Sequence, residues 1–236
     1  MDKVLNQLVE RLRRALGDRV VSVVLYGSAA AGDYHGGFSD LNILCVLTAV
    51  TPRELADAEP VIRWWRDQGN PAPLLLSGEE LATSTDCFPI EFHDIAERHR
   101  ILAGRDVVEG MEIDDAFYRA QVEHELRAKL LRLRQKAAGV LSDQAQLLRL
   151  MADSVSTFCV LARHALRLAG LNAAWQKRQI VEQAGARFGV DPAPFVTLLD
   201  LREERIKPRS VSAPALLEQY LKEIQVLVAA VDRLER

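Results

Sequence analysis

Cysteine is scarce. The chain has 236 residues and three cysteines, Cys45, Cys87 and Cys159. An odd number in apolar contexts excludes a disulfide framework and a cysteine-based zinc site, and reads as buried, reduced thiols. A basic excess is missing too. The formal net charge is −3, so no global positive field draws the chain to nucleic acid, which argues against a polymerase-like or tRNA-handling role. No apolar run approaches the length of a bilayer span. The first residues, Met1-Asp-Lys-Val, open an amphipathic pattern and not a secretory leader. Together these make the cytoplasm the expected location. No internal repeat and no low-complexity tract interrupts the sequence. What is present is ordinary for a globular protein, 49% hydrophobic and 27% charged, with length enough for one large domain or two small ones.

The stretch that organises the rest is 25–47, LYGSAAAGDYHGGFSDLNILCVL. An apolar strand, residues 20–26, runs into Gly27-Ser28. A glycine-punctuated turn of small residues follows, then Ser39-Asp40-Leu41-Asn42 and a second apolar strand ending at Leu47. Gly27 has no Cβ, so backbone N–H groups there can approach a ligand closely. Ser28 adds a hydroxyl able to donate to a phosphate oxygen. Such a turn collects an anion on aligned N–H groups. Asp40 and Asn42 are two apart on a strand and share one face. A phosphate cradle facing two hard-oxygen ligands is the layout for a magnesium–nucleotide.

These residues resemble the signature of the DNA polymerase β-like nucleotidyltransferase superfamily. That signature is an apolar strand, Gly-Ser, a spacer of roughly ten residues, and Asp-x-Asp in a second strand. Here Gly27-Ser28 is the Gly-Ser, Asp40 is the first aspartate, and Asn42 stands in place of the second. The resemblance implies a third acidic residue on a later strand. The candidate is Glu91, in Phe88-Pro-Ile-Glu-Phe-His-Asp-Ile95, with Asp86 as the weaker rival. Carried over position by position, Gly27 and Ser28 bind the triphosphate. Asp40 and Glu91 are metal ligands and the catalytic carboxylates, and Asn42 occupies the second ligand position. The implied cofactor is magnesium, with a nucleoside triphosphate as co-substrate. Asn keeps one carbonyl oxygen but loses a full charge beside the cations, so at most one well-held magnesium and slowed transfer are expected. Three functions follow. The first is transfer of a nucleoside monophosphate to a small hydroxylated acceptor. The second is a degenerate member serving as nucleotide sensor or scaffold. The third is modification of a partner protein.

The remaining pattern places this motif in an α+β protein. Residues 2–16 form a helix with a Leu5, Leu8, Leu12, Leu16 stripe, ended by Gly17. Thr51-Pro52-Arg53-Glu54 is a capping box that opens a helix, which Pro60 should kink or split. Within it, Trp64-Trp65 reads as packing, one ring in the core and one half exposed. Residues 73–76 suggest a short strand, and Ser77 to Glu80 a second capping box. Residues 89–95 alternate and predict a strand with Glu91 and His93 on its polar face. Residues 96–102 leave the choice open. The boundary falls in the glycine-bounded 104–110 stretch, giving domains at 1–108 and 109–236. From Ile113 onward helical periodicity predominates. Five helices are expected: one with Leu126, Leu130 and Leu133, one capped by Ser142, one over 172–188, one opening at Asp191-Pro192 and one opening at Ser212-Ala-Pro214. The expected fold is thus an N-terminal nucleotidyltransferase-type mixed β-sheet flanked by helices, followed by a helical bundle. In outline it resembles the aminoglycoside adenylyltransferases. Within the bundle, Glu123–Arg127 and Glu125–Lys129 read as helix-stabilising pairs. His93 and His164 read as satisfied histidines, and His35 and Asp33 as turn residues.

Overall fold

A computed structural model describes residues 1–27, 29–30 and 41–234. The chain divides into two compact units, Met1–Ala116 and Phe117–Arg236.

In unit 1, α1 (Asp2–Leu16) buries the expected leucine stripe, and Gly17 ends it with its N–H on the Arg13 carbonyl. The sheet has strand order β3-β2-β1-β4: β1 (Val20–Tyr26), β2 (Asn42–Leu47), β3 (Leu74–Ser77) and β4 (His99–Gly104). β1 pairs antiparallel with both β2 and β4, while β2 and β3 are parallel, so the sheet is mixed as expected. The two central strands are buried on both faces, which is why they read as continuous apolar runs. One face, with Val23, Leu25, Ile43 and Cys45, packs on α1 and on α2 (Pro52–Asp67) through Leu8, Leu12, Ala58 and Trp65. The other, with Val24, Leu44 and Val46, packs on α3 (Gly78–Thr83) and α4 (Pro89–Glu97) through Leu81, Phe92 and Ile95.

Both capping boxes form, at Thr51/Glu54 and at Ser77/Glu80. Glu54 also receives Arg19 at 2.8 Å, and Arg19 reaches Asp57 at 2.6 Å. Hydrogen bonds from Thr51 and then Arg19 hold the Glu54 carboxyl down at about 2. In unit 1 three expectations need correction, and one open stretch is resolved. Pro60 does not split α2, because the buried residues Ala58, Val61 and Trp65 lie on both sides of it and hold the two halves against one surface. Residues 89–95 are helix, not strand. Pro89 occupies the first helical turn, and Ile90, Phe92, His93 and Ile95 are all buried, so the short apolar run covers a sheet face without joining the sheet. The undecided 96–102 stretch contains most of β4. Cys87 is exposed, whereas Cys45 and Cys159 are buried; all three are free.

Unit 2 is the expected bundle: α5 (Tyr118–Ala138), α6 (Gln144–Leu168), α7 (Lys177–Phe188), α8 (Ala193–Arg202) and α9 (Ala213–Asp232). α6 packs against each of the other four. By length and composition α6 could cross a bilayer, against the expectation of no such run; its packing against all four other helices of the bundle is that of a core helix. Its cap is Asp143, accepting the Gln146 N–H at 2.9 Å, one residue past the expected Ser142. α7 begins at Lys177, later than the expected 172. The predicted pairs form: Arg127 donates to Glu123 at 2.8 Å, and Lys129 lies 3.1 Å from Glu125. His164 is fully buried against the Tyr118 hydroxyl at 2.6 Å.

Candidate functional site

The site is assembled where β1 ends. Gly27 has φ 79°, and its carbonyl accepts the Ala30 N–H at 3.1 Å, bending the chain away from the sheet. A positive φ is strained for a residue with a Cβ, so glycine is the residue the bend needs. The β1–β2 register sets Asn42 directly opposite Tyr26. The Asn42 amide nitrogen then lies 3.1 Å from where a Cβ on residue 27 would sit. Gly27 and Asn42 are therefore brought into contact, and the missing side chain of one makes room for the amide of the other.

Glu91 reaches the same end of the sheet by a different route. It lies in the first turn of α4, half-buried, beside Phe92, which packs on the face that carries Val24 and Tyr26. Its charge is felt at Tyr26. The Tyr26 hydroxyl is pushed up to about 12, first by burial and then by Glu91. Glu91 is thus placed near Tyr26, the residue before Gly27 and opposite Asn42, but it is carried by a helix. The resemblance implied an acid on a later strand. β3 reads LLLS and β4 reads HRILAG, and neither has one. Ser28 and Asp40, the other two candidates, lie outside the described residues, as do Asp33 and His35.

The donors present decide which metal chemistry fits. Among the described residues no three His, Cys, Asp or Glu side chains cluster as a metal site. The described motif offers one amide carbonyl, from Asn42, and one carboxylate, from Glu91. Both are hard oxygen donors suited to a single magnesium ion. A two-ion clamp held by three carboxylates does not fit these residues.

Two histidines lie in the neighbouring elements, His93 in α4 and His99 in β4. His93 is 5% exposed, and its Nε2 lies 2.5 Å from Asp115; it bonds a neighbour, as the sequence suggested. His99 opens β4. It pairs with Tyr26 across β4, and its Nδ1 bonds the Ile95 carbonyl at 2.8 Å. No sequence signal marks it, because its place depends on a strand that only pairing reveals. A separate groove of about 520 Å³ is lined by α3 and the 105–112 segment. Among the described residues its lining includes none of Gly27, Asn42 and Glu91.

Comparison with known families decides the lineage. The family described as "Nucleotidyltransferase domain" matches residues 5–127, more than half of the chain. The chain belongs to the nucleotidyltransferase-domain family. Its fold is shared with a solved spectinomycin adenyltransferase, AAD(9) from Enterococcus faecialis, determined with ATP and spectinomycin. The two are 12% identical with a TM-score of 0.63, over 99% of this chain and 100% of the other. A toxin–antitoxin structure with AMP-PNP is also similar, at 12% identity and a TM-score of 0.32, over 58% of this nucleotidyltransferase-domain chain and 96% of the other. No curated protein matches.

Proposed function

We propose that this nucleotidyltransferase-domain protein binds a nucleoside triphosphate at the bend after β1 and transfers its nucleoside monophosphate to a small hydroxylated acceptor. The observation that supports this reading is the contact of Gly27 with Asn42 at the end of β1, with Glu91 near enough to act on the neighbouring Tyr26 hydroxyl. In this reading the absent Cβ of Gly27 lets phosphate oxygens approach the backbone of the bend, and Ser28 would add its hydroxyl. Glu91 takes the proton from the acceptor hydroxyl. The freed oxygen bonds to the α-phosphorus, and the bond to the departing pyrophosphate breaks. Asp40, Asn42 and Glu91 would hold a magnesium ion, whose charge offsets that building on the phosphate oxygens. The AAD(9) structure, with its ATP and spectinomycin, supports pairing a nucleotide with a small acceptor on this fold. The proposed setting is the cytoplasm, where free thiols such as these stay reduced.

Asn42 favours a second reading. With an amide where a second carboxylate would stand, the site holds a nucleotide and senses it without transfer. Calorimetry with ATP, GTP, CTP and UTP, with and without magnesium, on wild type and Asn42→Asp, separates the two when paired with a pyrophosphate-release assay over hydroxylated acceptors. Magnesium-dependent binding with acceptor-dependent release supports transfer. Binding without release supports sensing, and binding gained only in Asn42→Asp marks a degenerate site. No binding by either protein overturns the nucleotide reading.

A further inference from the structure

Unit 2 contains a groove that this reaction does not use. It lies between α5 and α6 and has a volume of about 170 Å³. Lys129, Arg132 and Lys136 line the α5 side, at a spacing that puts all three on one helical stripe. α6 supplies Asp153, the Thr157 hydroxyl and the buried ring of Phe158.

The acids of α5 do not answer these charges evenly. Glu123 takes Arg119 and Arg127, and Glu125 takes Lys129. Among the described residues, no acidic group lies within ion-pair distance of Arg132 or Lys136. Asp153, the one acid in the lining, is shared with Arg149 at 4.0 Å on its own helix. The helix dipole favours cations near the end of α5, but it acts on every side of that end. It does not explain why two uncompensated cations face the hydroxyl-bearing side of α6. With Lys129 answered by Glu125, Arg132 and Lys136 stand against Asp153 alone, and that excess of positive charge calls for an anion. The volume is below the ~300–1,000 Å³ of a drug-sized site, so the anion is compact. A guanidinium fork beside an ammonium suits the oxygens of a phosphate.

We propose that the α5–α6 groove binds a compact phosphate, either the free ion or the head of a small monoester. The site lies wholly in unit 2 and stands independently of the transfer reaction. The test is calorimetry on the full chain with inorganic phosphate in one arm and methyl phosphate in the other. Wild type, Arg132→Gln, Lys136→Gln, the double variant and Thr157→Glu are compared. The three side chains changed, Arg132, Lys136 and Thr157, are those of exposed residues, so thermal melts should coincide and show that the fold is kept. Saturable binding in the phosphate arm identifies the free ion, and binding only in the methyl phosphate arm identifies the monoester. Each single Gln variant should weaken binding about tenfold, the low end for a hydrogen bond to a charged group. The double variant and Thr157→Glu, which puts a carboxylate in the groove, should abolish it. Asn42→Asp serves as the control for phosphate at the glycine bend and should leave the affinity unchanged. The proposal fails if neither probe binds saturably, if the double variant binds like wild type, or if Asn42→Asp alone removes binding.

Discussion

Gly27→Ala tests the geometry of the bend directly. The φ of 79° puts any residue with a Cβ in the left-handed region, at a cost of about 1–2 kcal/mol. Alanine also stiffens the unfolded chain, which returns about 0.4–1 kcal/mol. The new Cβ then meets the Asn42 amide nitrogen at 3.1 Å. That amide is the end of a flexible side chain, and moving it off its rotamer by a few tenths of an ångström costs about 0.5–1.5 kcal/mol. The net is a loss of about 1–2 kcal/mol. Urea denaturation followed by tryptophan fluorescence reads it, since Trp65 is fully buried in the core of unit 1. Repeating the substitution on Asn42→Ala separates the contact from the backbone strain. The penalty should shrink by the contact part, about 0.5–1.5 kcal/mol, and the rest should persist. A Gly27→Ala protein as stable as wild type would refute the strained bend. An identical penalty in both backgrounds would refute the contact with Asn42.

Gly104→Ala should be harsher, because its Cβ would lie 2.1 Å from the Val21 carbonyl oxygen, a backbone atom unable to step aside; about 3 kcal/mol or more should be lost, and a denaturation midpoint near that of wild type would contradict the β1–β4 pairing. Glu54 should shape acid unfolding. Its carboxyl is held at about 2 against an ordinary 4.5, so the stability it lends is intact above the unfolded value and drains as pH falls from about 4.5 towards 2. Glu54→Gln should flatten that part of the stability–pH curve, and superimposable curves would rule the linkage out. Thiol titration should find Cys87 reactive in the native protein. Cys45 and Cys159, buried and pushed up to about 12, should react only on unfolding, and three fast thiols would show that the core is not closed around them.

Much of unit 1 could be read in advance because local signals and tertiary packing agree there. The leucine stripe of α1, the two central strands and both capping boxes each carry their own chemistry. Residues 89–95 misled because alternation and burial point different ways in a short apolar run. Ile90 and Phe92 alternate like a strand, yet His93 and Ile95 are buried as well, which suits a helix pressed against a sheet. Pro89 was the counter-signal, since proline is favoured in a first helical turn. β4 could not be seen because an edge strand is defined by the partner it pairs with, and HRILAG has no period of its own. Of the site, the motif named Gly27 and Asn42, and the β1–β2 register brings them into contact, whereas the helical seat of Glu91 depends on which sheet face α4 covers, and no local pattern encodes that.

The strand from which the bend departs is flanked on both sides and covered above and below. Its amides should be among the last in unit 1 to exchange with deuterated solvent, opening only when the unit opens as a whole. Any molecule held at Gly27 is therefore moored to one of the slowest parts of unit 1. Its release on denaturation should coincide with the opening of the sheet, with no earlier step of its own.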